Sequence, residues 1–283
     1  MNNATPQAPS SGSVLFIPHG GGPLPLLRDP GHEVLVRFLE EIGPTLGTPE
    51  AILLISAHWE ASVATLTSGK SPGLIYDYYG FPEPAYDIRY PAPGHPTLAT
   101  QVHGLLTQSG MNAKLDPQRG FDHGMFVPLK ILFPDARIPC VQLSLLKSLD
   151  PSAHLRMGKA LAPLRQENIL VIGSGLSFHN MHALMSPHSG IADPKNDAFE
   201  RWLVDTCTNP ALDSAEREER LIRWQKAPFA RYCHPREEHL LPLHVCCGLA
   251  DQVGQQVYHG TVMGKRASAF LWSTHPSTAS GGR

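Results

Sequence analysis

Three apolar runs of the chain each deliver a histidine at or just past their carboxyl ends. His19 follows VLFIP, His58 follows ILLISA, and His179 lies a few residues beyond NILVIGSG. Imidazole is the commonest metal ligand and the side chain that titrates near neutral pH, so three of them meeting in one crevice would make a metal or acid/base site. A fourth candidate, His239, lies in HPREEHLLPL, where Pro235 suits the first turn of a helix that would hold His239 on its apolar face. The chain carries 15 histidines without a polyhistidine run, so placement, not abundance, carries the argument. Any one of them is more often a hydrogen-bonded turn residue than a ligand. His32, His103, His154, His188, His244, His259 and His275 have no strand-end position and read as surface or packing residues.

Other chemistries fit the same residues less well. His19 to Gly22 reads HGGG, as in the oxyanion segment of esterases, but that mechanism needs a G-x-S-x-G nucleophile elbow, which Gly173 to Ser177 does not supply. Neither phosphate-binding glycine pattern is present, and there is no H-E-x-x-H helix. Glycines 20 to 22 are better read as letting backbone pass close to a metal or substrate.

The elements that must position these side chains follow from periodicity. Short apolar runs bounded by Gly or Pro predict strands buried on both faces at Val14–Ile17, Ala51–Ser56, Pro139–Ser144 and Asn168–Ile172. Helical spacing predicts helices at Glu33–Ile42, Pro96–Ser109, Pro151–Arg165, Asp197–Thr206, Ala215–Trp224 and Glu237–Gly248. Alternating strands and helices predict an α/β fold with a central, mostly parallel sheet flanked by helices. Gln256–Met263 and Ser268–Trp272 predict an antiparallel hairpin at the sheet edge. In open α/β sheets ligands bind where the loops after the strands converge, so the three strand-end histidines would share one crevice. Ser71–Pro96, rich in tyrosine and proline, predicts a long ordered loop that either serves function or covers the sheet edge.

The 283 residues are 42% hydrophobic and 17% charged, which excludes a disordered or coiled-coil protein and fits one large domain over residues 13–273. Residues 1–12 read as a loose arm and 274–283 as a disordered tail. With 23 Lys and Arg against 25 Asp and Glu, no basic excess argues for nucleic acid or a membrane surface. Five irregularly spaced cysteines suit reduced, cytoplasmic thiols, and no signal or membrane-spanning segment is evident.

Taken together, LFIPHGGGP, LLISAHWE, YDYYGFPEPAYDIRYPAPG, RGFDHGMFVPLKILFPDARIPCVQLSL, IGSGLSFHN and PREEHLLPL resemble, in order, the class III extradiol ring-cleaving dioxygenases, 4,5-DOPA dioxygenase-like group, of the protocatechuate 4,5-dioxygenase B-subunit superfamily. The resemblance implies that His19, His58 and His239 ligate a divalent metal, Fe(II) for activity, with zinc able to occupy the same ligands in purified protein. It implies His179 as the acid/base and His123 beside the substrate, a small aromatic diol cleaved with O2 to a hydroxymuconic semialdehyde. Gly21 stands where the group commonly has Ser, Phe126 where Trp is frequent, and Arg236 and Glu237 where Thr and Pro are usual. His234 rivals His239 as third ligand, and Glu237 or Glu238 is a weaker rival; motif alignment favours His239. Tyr79, Arg236 and His234 are candidates for gripping the ring substituent. A metal-dependent hydrolase using the same histidines and a non-catalytic binding protein on the same scaffold are the alternative readings, and a homo-oligomer is compatible with all three.

Overall fold

The computed structural model describes residues 12–186 and 192–273; the proposed tail, most of the proposed arm, His188 and His275 lie outside the described residues. Eight strands form one sheet: β1 (Val14–Pro18), β2 (Ala51–Ala61), β3 (Ala64–Thr67), β4 (Ala113–Asp116), β5 (Cys140–Leu146), β6 (Ile169–Gly175), β7 (Gln255–Val262) and β8 (Lys265–Trp272). Their order is β4-β3-β5-β2-β6-β1-β8-β7. The central β5, β2, β6 and β1 run parallel, while β8 pairs antiparallel with both β1 and β7. Gly12, assigned to the arm by sequence, is instead tied down, its N–H donating to the Arg165 carbonyl at 3.0 Å.

Around the sheet lie α1 (Glu33–Ile42), α2 (Pro96–Gln108), α3 (His123–Leu132), α4 (Pro151–Ala160), α5 (Met181–Leu184), α6 (Pro194–Thr208), α7 (Ser214–Ile222), α8 (Ala230–Cys233) and α9 (Leu241–Ala250). Alternate residues of the central strands feed two cores. Val14, Phe16, Leu53 and Ile55 pack with Leu98 and Val102 of α2, Leu155 of α4 and Val245 of α9. Leu15, Ile17, Ile52 and Leu54 pack with Leu35 and Leu39 of α1 and Phe126 and Leu129 of α3. Burial on both faces is why these strands read as unbroken apolar runs.

Three expectations need correction. The helix expected from Glu237 begins at Leu241, and the proline in its first turn is Pro242, so Pro235 does not open it. His239 therefore sits in the turn before α9, where the Leu240 N–H donates to the Glu237 carbonyl at 2.9 Å. The helix expected to run to Arg165 ends at Ala160, followed by a 3-10 segment at Ala162–Gln166. The hairpin turns at Met263 and Gly264, both at positive φ, so Lys265 and Arg266 already belong to β8.

The strand ends explain how histidines converge. β2 slips register against β5 between Ser56 and Glu60, so Ala57, His58 and Trp59 form a bulge that re-aims His58 at the sheet edge. Gly175 closes β6 where a Cβ would fall 2.1 Å from the His239 carbonyl oxygen. Only glycine lets the turn carrying His239 sit on the end of β6, held by the Leu176 N–H donating to that carbonyl at 3.0 Å.

Candidate active site

His58 Nε2 lies 3.0 Å from His19 Nε2 and 3.2 Å from His239 Nε2. The three ring centroids stand 4.8, 5.2 and 4.8 Å apart. Imidazoles binding one ion at about 2.1 Å would place their nitrogens about 3.0–3.4 Å apart and their centroids about 4.5–5.2 Å apart, so this trio has the spacing of shared ligands.

The hydrogen bonds set which nitrogen faces inward. The single Ser174 hydroxyl proton is donated to the Gly124 carbonyl, so Ser174 Oγ accepts from His19 Nδ1–H at 3.0 Å. His239 Nδ1–H donates to Glu238 Oε1 at 2.9 Å. Both rings therefore turn an unprotonated Nε2 toward His58. Burial first, and then the neighbouring imidazoles, push His19 and His239 well below the ordinary imidazole range. Burial and then His123 do the same to His58 against the pull of Asp77. Lone pairs meeting among neutral buried rings form a donor set that a cation satisfies.

His123 opens α3 with its Nδ1 and its backbone N–H both 2.9 Å from Asp77 Oδ1. Its ring lies 3.9 Å from that of His58, closer than the spacing within the trio. One set of ligand atoms within 4.8 Å comprises His19, His58 and His123, and a second comprises His179, Glu238 and His239. His58 Nε2 joins the two sets, and the centroid spacing favours His239 over His123 as the companion of His19 and His58. Burial opposes charge on Asp77, yet the His123 hydrogen bonds hold its carboxyl below the usual range.

His179 stacks on His239, centroids 3.4 Å apart and planes inclined by 18°. Its backbone N–H donates to the Cys233 carbonyl at 2.9 Å, and its Nδ1 is 3.0 Å from Glu238 Oε1. Burial works against the Glu238 charge, but His179 and then Arg236 keep its carboxyl below the usual range. A cavity of about 330 Å³ opens beside these groups, lined by Ala57, His58, Glu60, Arg236, Glu238 and His239. Across it the Arg236 guanidinium grips Glu60 through both prongs, at 2.6 and 2.7 Å.

Two sequence candidates fall away from this site. His234 is fully buried between Phe199 and Trp224, and its Nε2 is spent on the Ser177 carbonyl at 2.7 Å, so it packs the core instead of ligating or touching substrate. Tyr79 is 92% exposed, and it is its neighbour Tyr78 whose ring lies 5.7 Å from His123. Glycines 20 and 21 serve the loop itself: a Cβ on Gly20 would meet Pro25 at 2.5 Å, and the Gly21 N–H donates to His32 Nε2 at 2.9 Å. Sequence reasoning missed Ser174, Asp77 and Glu60, and weighed Glu238 only as a ligand. Ser174, a hydroxyl in an otherwise apolar strand, and Asp77, an acid flanked by Tyr76, Tyr78 and Tyr79, were the available signals.

An α/β sheet with imidazoles converging at its carboxyl edge, spaced so that they could hold a metal ion, is an arrangement met in metal-dependent enzymes. Residues 14–270 match the family model described as the catalytic LigB subunit of aromatic ring-opening dioxygenase, and the chain belongs to that family. It is 41% identical over 253 residues to Dioxygenase tasH of Hapsidospora irregularis, covering 84% of this chain and 78% of that protein. It is 39% identical to a 4,5-DOPA dioxygenase extradiol of Beta vulgaris, covering 84% and 87%. An uncharacterized Escherichia coli protein of known structure superposes with a TM-score of 0.73 at 28% identity, covering 92% of this chain and 98% of that one. The protein is an extradiol ring-cleaving dioxygenase of a family that uses a non-haem metal, with an aromatic substrate and O2 as reactants. Among the described residues no helix is long and apolar enough to cross a membrane.

Proposed function

We propose that the enzyme opens the ring of a catechol at an Fe(II) centre held by His19, His58 and His239, giving a hydroxymuconic semialdehyde-type product. The convergence of three Nε2 atoms with two of the Nδ1–H groups anchored outward carries this reading. Three protein ligands leave positions open, as a catalytic site requires. Iron bound there would hold catechol and O2 together and pass electrons between them, turning an improbable encounter into an intramolecular step.

The chain's own groups do the rest. His179, backed by Glu238, takes a phenolic proton from the substrate and returns it as the ring opens, the general acid/base role that imidazole most often fills. His123, fixed by Asp77, borders the substrate beside His58. Arg236 and Glu60 on the cavity wall face the ring substituent and set which catechols enter. Imidazole ligands also suit zinc, so purified protein carrying zinc is compatible with an iron enzyme. Its five cysteines are all free, in keeping with a cytoplasmic enzyme.

The test is anaerobic loading with Fe(II) followed by oxygen-uptake measurement across a panel of substituted catechols. Uptake with formation of a yellow product is expected for at least one catechol. Substrate turnover without oxygen would instead mark a hydrolase.

A further inference from the structure

We propose that Glu238 is a positioning residue that sets two histidines at once, fixing the ligand His239 and the proton-transfer group His179 through a single carboxylate oxygen. The inference rests on the metal-site reading above and adds a residue to it.

Oε1 of Glu238 lies 2.9 Å from His239 Nδ1 and 3.0 Å from His179 Nδ1. The two rings stack at 3.4 Å, so one oxygen meets the same edge of both. A carboxylate only accepts hydrogen bonds, so each ring presents Nδ1–H to it and turns Nε2 the other way. The orientation of His239 as a ligand and of His179 as a proton acceptor is thus one structural fact.

Glu238 is itself held. Arg236 approaches Oε2 at 3.5 Å while its guanidinium is pinned by Glu60, and Oε2 is otherwise buried without a hydrogen-bond partner. The link runs from the β2 bulge through Glu60, Arg236 and Glu238 to both rings. Adjacency of Glu238 and His239 alone would not require this, because neighbouring residues in a turn need not share a partner with a ring carried on another loop.

The experiment titrates Co(II) into apoprotein, followed by its visible absorption, and measures kcat and KM at saturating Fe(II). Wild type is compared with Glu238→Ala, Glu238→Gln, His179→Ala and His58→Ala, each checked for folding by circular dichroism. Glu238→Ala is expected to lose about 10–100-fold in Co(II) affinity, the range for removing a partner that orients a ligand. At saturating Fe(II) its kcat should still fall about tenfold or more with KM little changed, since His179 has lost its anchor. Glu238→Gln, which keeps an acceptor oxygen, should recover most of both losses, and His179→Ala should bind Co(II) as wild type does. The proposal is overturned if Glu238→Ala matches wild type within about twofold in either quantity while His58→Ala loses the metal. If His58→Ala also keeps wild-type Co(II) affinity, the metal-site reading itself fails and the proposal goes with it.

Discussion

At the residue scale, what would make His19 a ligand is the group behind it. Ser174 has one proton and gives it to Gly124, so it can only accept from His19 Nδ1, and that choice frees Nε2. Ser174→Ala removes the acceptor without adding bulk. It should weaken metal affinity about tenfold while leaving the fold intact, a change read by competition with a chelating dye. Affinity unchanged within error would show that His19 is oriented by packing alone. His19, His58 and His179 were legible in the sequence because each follows an apolar run. Arg236 and Glu60 were not legible as a pair, because β2 and the turn before α9, far apart in sequence, meet only once the chain has folded.

At the element scale, the close seat of the His239 turn on β6 decides the geometry. Gly175→Ala would drive a methyl into the His239 carbonyl, now 2.1 Å from where that methyl must stand. Overpacking of this kind costs typically about 1–3 kcal/mol, and here it also pushes His239 out of reach of His58. Thermal denaturation should show the loss in stability, and metal titration the loss in affinity. The buried strands were readable from their apolar runs, and α1 from its helical period. The start of α9 was not: Pro235 and Pro242 each suit the first turn of a helix, and the helix begins at Leu241 with Pro242 in its first turn. α3 escaped as well, since almost all of its residues are buried and it shows no polar face to mark a period. The tyrosine-rich loop turned out ordered, with Tyr76 and Tyr78 hydroxyls donating to the Ile88 and Ala85 carbonyls at 2.7 and 2.6 Å. That order is what delivers Asp77 to His123.

At the scale of the whole molecule, buried histidines away from the site make stability depend on pH. His154 and His234 are buried, and desolvation lowers them to about 4 and about 3. In the unfolded chain the same imidazoles take up protons near pH 6.5, so between about 6.5 and 4 the unfolded state binds more protons and stability falls as pH falls. Burial raises Glu200 to about 7, which works the other way, its contribution being present at low pH and lost as pH rises through about 7. His32 and His244, also lowered by burial, add to the histidine side. Urea denaturation at pH 7.5 and pH 5 should therefore give a lower midpoint at pH 5, and an equal or higher midpoint would show that these rings do not govern the balance.

The proposed reaction inserts both atoms of dioxygen into an aromatic ring and opens it. The direct measurement supplies the Fe(II)-loaded enzyme with a catechol that it turns over and oxygen labelled as 18O2, reduces the product at once with borohydride to block exchange, and weighs it. The expected product is ring-opened and carries both labelled oxygens from one O2. A product carrying oxygen from water alone, or an intact ring, would contradict it.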